Sequence, residues 1–143
     1  MEQKLEKPVF KKVLVIDDSE TDRFVAKRMI QKCCFAEEVV VQDSAVKALI
    51  YLQTMEHTPE ELPQFIFLDI RMPEMDGFGF LEEYEKLSET IKSKCIIMML
   101  STSLDAEDHK KATESEYVNR FLNKPLDKEK MEVLGQEFQP KFP

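Results

Sequence analysis

Three carboxylates, a hydroxyl and an ammonium each close or follow a short apolar run in this chain. Val13-Leu14-Val15-Ile16 stops at Asp17-Asp18, and Phe65-Ile66-Phe67-Leu68 runs into Asp69. Cys95 to Leu100 stops at Ser101-Thr102-Ser103, and Arg120-Phe121-Leu122-Asn123 stops at Lys124-Pro125. Adjacent carboxylates repel each other and raise a pKa unless something positive lies between them. Hard oxygen ligands with few other donors suit Mg²⁺, which keeps several waters and takes one or two carboxylates. Lys124 brings the opposite charge, and lysine binds phosphoryl oxygens as a point charge. Ser101 adds a hydroxyl donor. A metal, an ammonium and a hydroxyl around one carboxylate form a cradle for a phosphoryl group, whose charge is spread over three oxygens. Asp69 would be the nucleophile, since carboxylates form aspartyl phosphates. Each residue alone has a plainer reading: Asp17-Asp18-Ser19 as a helix cap, Lys124 as a solvated charge, Ser101 within a turn. Their coincidence at one sheet edge favours the chemistry.

That edge depends on the elements. A short continuous apolar run bounded by turn residues reads as a strand buried on both faces, as in a parallel sheet. Strands are expected over 13–16, 38–41, 65–69, 95–100 and 118–123. Helices alternate with them. Ser19 or Asp22 caps the first, whose apolar face includes Phe24, Val25, Met29 and Ile30. Ser44 caps the second, and a third starts just past Gly77. Asp105 caps a fourth, through about Ser115, rich in charge and poor in apolar anchors; few buried contacts mark a mobile element. Asp127 caps the last, through Glu137. Positions 1–12 read as a polar lead-in, 54–64 as a polar loop and 139–143 as an irregular tail. Five strands alternating with five helices give an α/β, doubly wound parallel sheet with right-handed crossovers. The functional residues then sit at the carboxyl ends of the first, third, fourth and fifth strands, where open α/β sheets bind ligands.

The length of 143 residues implies a single domain over 1–143, with its core at about 11–137. Hydrophobic residues make up 43% and charged residues 34%, a globular composition. A formal charge of −8 argues against a nucleic-acid partner, which wants a basic face. No apolar run approaches the roughly 20 residues of a membrane span, and the N-terminus lacks a signal-peptide core. A cytoplasmic protein without a membrane partner is the expectation. Three cysteines without CxxC spacing fit packing, neither a disulfide framework nor a zinc site. His57 and His109 read as solvated residues rather than ligands.

The order Asp17-Asp18, Asp69 with Met72-Pro73 and Asp76-Gly77, Ser101, then Lys124-Pro125 resembles the receiver domain of two-component response regulators, the CheY-like family. The resemblance runs over about positions 11–137 and implies a (βα)5, flavodoxin-like sheet with strand order 2-1-3-4-5. It implies that Asp69 takes a phosphoryl group from a histidine kinase or a histidine phosphotransfer protein. Mg²⁺ would be held by Asp18, Asp69 and the backbone carbonyl of Arg71, with Asp17 reaching it mainly through water. Ser101 and Lys124 would grip the phosphoryl oxygens, and the Lys124–Pro125 bond would be cis, where cis costs only about 0.5–1 kcal/mol. Ser101 and Phe121 would act as the switch. Arg71 and Ser103 would tune the lifetime of the phosphoryl group, Arg71 either shielding it or pairing with an acid such as Glu74.

By the same resemblance, the first helix, with Asp22, Arg23, Phe24 and Lys27, would carry kinase specificity. The changing surface would be the helix from Asp105, the strand before Lys124 and the last helix. That face would bind a downstream target, leave relay to a second histidine protein open, or form a phosphorylation-dependent dimer from a monomer. Such a protein is no enzyme beyond its own phosphoryl transfer and autodephosphorylation. A haloacid-dehalogenase-type phosphatase would want a second Asp two positions after Asp69, where Arg71 stands. The other alternative is a degenerate receiver that binds partners without phosphorylation.

Overall fold

In the computed structural model, residues 8–102 and 104–138 are described. Among them are five strands: β1 (Phe10–Ile16), β2 (Ala36–Gln42), β3 (Phe65–Leu68), β4 (Ile96–Ser101) and β5 (Val118–Asn123). Six helices accompany them: α1 (Glu20–Lys32), α2 (Ala45–Thr54), α3 (Gly77–Glu85), α4 (Glu89–Lys92), α5 (Ala106–Glu114) and α6 (Lys128–Phe138). The strands form one parallel sheet in the order β2-β1-β3-β4-β5, so the expected fold class and strand order hold.

The strand runs are apolar throughout because both faces are covered, and the period of two divides their side chains between two cores. Leu14, Ile16, Ile66 and Leu68 point to one core, shared with Ala48 and Leu52 of α2 and Phe80 and Tyr84 of α3. Val13, Val15, Phe65 and Phe67 point to the other, shared with Ala26 and Ile30 of α1 and Met131, Leu134 and Phe138 of α6. In that second core, the Phe65 ring lies 4.7 Å from Phe10, 5.3 Å from Phe35 and 5.4 Å from Phe138, centroid to centroid. Register aligns the carboxyl ends: Ile16 pairs with Leu68, Leu68 with Met99, and Ser101 with Asn123.

Several boundaries differ from the sequence reading. β1 begins at Phe10, inside the expected lead-in, because Phe10 is buried in the second core and pairs with Ala36. Lys12 is 3% exposed; its ammonium donates to the Glu61 carbonyl at 2.7 Å and to the Glu61 carboxylate at 3.2 Å. β3 closes at Leu68, and the Asp69 N–H continues the pattern to the Ile16 carbonyl at 3.0 Å. Cys95 falls just before β4 and is half-buried. A sixth helix, α4, is capped by Ser88 and buries Ile91. A 3₁₀ turn, Pro59–Glu61, interrupts the expected loop. Ser19, not Asp22, caps α1: its hydroxyl accepts from the Asp22 N–H at 3.2 Å. Ser44 and Asp105 cap α2 and α5. The expected tail at 139–143 lies outside the described residues. No helix of the described residues is long and apolar enough to cross a membrane.

Candidate functional site

Asp17 and Asp18 follow the last residue of β1, Asp69 follows β3, Ser101 ends β4, and Lys124 follows β5. The short connections after these parallel strands carry them to one edge. Asp17, Asp69 and Ser101 are buried, while Asp18 is exposed. Asp17 is fixed twice: Oδ1 accepts from the Ser19 N–H at 2.9 Å, and its carbonyl accepts from the Arg23 guanidinium at 2.9 Å. The Lys124 N–H donates to the Ser101 carbonyl at 3.0 Å, and the Lys124–Pro125 bond is cis.

The Lys124 ammonium donates to Asp17 at 2.6 Å and to Asp22 at 2.7 Å, and lies 3.5 Å from Asp69 Oδ1. Its own burial works to lower its pKa, but the hydrogen bonds to Asp17 and Asp22 and the charge of Asp69 outweigh that and raise it. It is therefore a fixed cation. Asp69 is shifted in the same direction, which for an acid disfavours the charged form. Burial and then the charge of Asp17 push its pKa up to about 6, partly offset by Lys124 and the Ile70 backbone. Three acids face one ammonium, and the surplus negative charge favours a cation.

The donor set fits a hard one. One carboxylate oxygen each from Asp17, Asp18 and Asp69 lies within 4.8 Å of the other two. All three are oxygen ligands, and the exposed Asp18 leaves the cluster open to water, as Mg²⁺ prefers. Gly77 makes room behind the acceptor position. A Cβ there would meet the Asp69 carbonyl at 2.6 Å and Ile70 Cα at 3.0 Å, so only glycine lets α3 start this close.

The remaining expected residues are dispersed. Arg71 pairs with the carboxylate of Asp108 on α5 and lies 3.9 Å from Asp105; its partner is not Glu74. Glu74 instead takes a left-handed backbone conformation, φ 70°, in the turn before α3. Phe121 is half-buried against the first core, with its ring stacked on His109 at 3.8 Å. His109 is thus half-buried on an aromatic face rather than solvated. Ser103 lies outside the described residues. Three participants were not read as such from the sequence: Asp22 on Lys124, Asp108 on Arg71, and His109 on Phe121. Asp22 had a signal, since the first helical turn after Asp17-Asp18 faces the same edge.

A five-stranded parallel sheet of order 2-1-3-4-5, with an acidic pocket and a lysine at its carboxyl edge, defines the CheY-like class of α/β domains. The family model "Response regulator receiver domain" matches residues 13–134, and the chain belongs to that family. A crystal structure of a two-component response regulator from Cytophaga hutchinsonii superposes with TM-score 0.83 at 27% identity, covering 92% of this chain and 97% of that one. A response regulator receiver protein from Dyadobacter fermentans gives 0.79 at 26% identity, covering 93% and 98%. Among curated relatives, a probable methanogenesis regulatory protein, FilR2, of Methanothrix harundinacea is 27% identical over 127 residues, 89% of this chain and 80% of that protein.

Proposed function

We propose that this chain is a phosphorylatable receiver, with Asp69 as the acceptor and its partners in the cytoplasm. The observation that supports this most is the convergence of Lys124 with Asp17 and Asp69 at the strand edge where Ser101 also ends. The donor is the phosphohistidine of a histidine kinase or phosphotransfer protein. An Asp69 carboxylate oxygen attacks phosphorus, the P–N bond breaks, and its electron pair stays on the imidazole nitrogen, which takes up a proton. Attack needs ionised Asp69, a form that burial and Asp17 disfavour in the metal-free protein and that a bound cation favours. Lys124 has to leave Asp22 and Asp17 to meet the phosphoryl oxygens, and the Ser101 hydroxyl donates to a third. Asp18, Asp69 and the Arg71 carbonyl would hold Mg²⁺, with Asp17 through water; when bound, that ion offsets the gathered negative charge.

Val25, 38% exposed on α1, lines a depression with Lys124 and Pro125, and it and Phe24, 64% exposed on the same helix, offer the donor protein an apolar contact. The response is carried by Ser101 and Phe121 to the face of α5, β5 and α6, which binds a downstream target. The chain turns over no external substrate; its chemistry is on itself.

Incubation with acetyl phosphate and Mg²⁺, followed by intact-mass spectrometry, tests this. A phosphoryl adduct that requires Mg²⁺ and is missing from Asp69→Asn is the expected result. No adduct on acid-quenched wild type would refute the reading and leave a receiver that binds partners without phosphorylation.

A further inference from the structure

Helix α5 has a thin apolar anchor. Of its nine residues, only Asp108 and Ala112 are buried, whereas α2 buries four apolar residues. Its side chains reach β5 on one side and the segment just after the acceptor position on the other. Arg71 pairs with Asp108 and lies 3.9 Å from Asp105, the cap of α5. The Lys111 ammonium sits 5.3 Å from the ring centroid of Phe78 in the first turn of α3. His109 stacks on Phe121 of β5.

The Arg71–Asp108 pair is asymmetric. The Asp108 side chain is 6% exposed and that of Arg71 62%. The buried acid is the fixed partner, and the long cation is the one able to move. Asp108 therefore decides where the guanidinium two residues beyond Asp69 rests. A phosphoryl group adds roughly −1.5 to −2 charges, in direct competition with Asp108 for that cation.

We propose that Asp108 is a positioning residue for phosphoryl chemistry at Asp69, acting through Arg71, so that the acceptor and α5 share one guanidinium. This rests on the receiver reading above. Decay of the phosphorylated form is attack by water on phosphorus with cleavage of the bond to the Asp69 oxygen, releasing inorganic phosphate and the carboxylate. Where Arg71 rests sets the charge beside that reaction. Linkage ties the equilibria: by as much free energy as Asp108 disfavours the phosphorylated state in drawing Arg71 away, phosphorylation weakens the Arg71–Asp108 pair.

The test uses the full chain as wild type, Asp108→Asn, Arg71→Gln and the double variant, with Arg71→Lys as the charge-conserving control. Hydrogen exchange of α5 amides is read before phosphorylation, and the decay rate of the adduct afterwards. Each single variant is expected to speed α5 exchange at low salt by about threefold, within the range of partly exposed ion pairs. The double variant should add nothing, and high salt should narrow the difference only in part, because Asp108 is buried. Asp108→Asn should change the decay rate by about threefold in the Arg71 background and leave it unchanged in the Arg71→Gln background. Arg71→Lys should lie between wild type and Arg71→Gln. Independent, additive effects on decay would overturn the proposal, as would an Asp108→Asn decay rate equal to wild type. If wild type accepts no phosphoryl group while the exchange pattern holds, the receiver reading fails and Asp108 is only a structural anchor for α5.

Discussion

Asp69→Asn should stabilise the metal-free protein, and by an amount that depends on pH. Asp69 is 7% exposed and close to Asp17, and its pKa rises from the ordinary 3.8 to about 6 on folding. Between those values the folded protein keeps a proton that the unfolded chain has released. Stability therefore falls as pH rises through that window and levels off above about 6. Each pH unit is worth about 1.36 kcal/mol, so the full penalty at neutral pH is about 3 kcal/mol. About 1 kcal/mol is already present at pH 4.5, and about 2 kcal/mol develops on going to pH 7.5. Asparagine keeps the shape and does not titrate. Urea unfolding in EDTA at the two pH values should show the gap between Asp69→Asn and wild type widen by about 2 kcal/mol toward pH 7.5. A gap that stays constant, or narrows as pH rises, would refute the claim that burial and Asp17 disfavour the ionised acceptor.

Millimolar Mg²⁺ should raise the melting temperature of wild type and do so much less for Asp69→Asn, since a ligand of the folded state stabilises by mass action; equal shifts would place the ion elsewhere. Gly77→Ala puts a Cβ 2.6 Å from the Asp69 carbonyl, so it should cost about 1–3 kcal/mol in urea unfolding and slow adduct formation at Asp69. Ser19→Ala removes the hydroxyl that caps α1 and should cost about 1 kcal/mol, read in the same assay.

The carboxyl-edge site was legible because its residues end apolar runs, and a parallel sheet turns that local pattern into a shared edge. Ser44 and Asp105 were legible as caps for the same reason: the signal lies within a few residues. What escaped depends on distant partners. Lys11 and Lys12 broke the apolar pattern of β1, yet Lys12 is accommodated inside by Glu61, 49 residues away. For Arg71 the sequence left shielding or pairing with an acid such as Glu74 open; it pairs with an acid, but one 37 residues on, across the α5 interface. Ser19 took the α1 cap, which left the Asp22 carboxylate available to Lys124, 102 residues further along. Helix α4 is four residues long, too short for periodicity; the Ser88 cap and the burial of Ile91 account for it.

The receiver proposed above holds its phosphoryl group on Asp69 itself. Hydroxylamine converts an acyl phosphate to a hydroxamate at the acylated carboxyl, and peptide mass spectrometry then reports the residue. After treatment with acetyl phosphate and Mg²⁺, a hydroxamate is expected at Asp69 and at no other acid. A hydroxamate at Asp17 or Asp18, or a hydroxylamine-resistant phosphoryl group on Ser101, would contradict it.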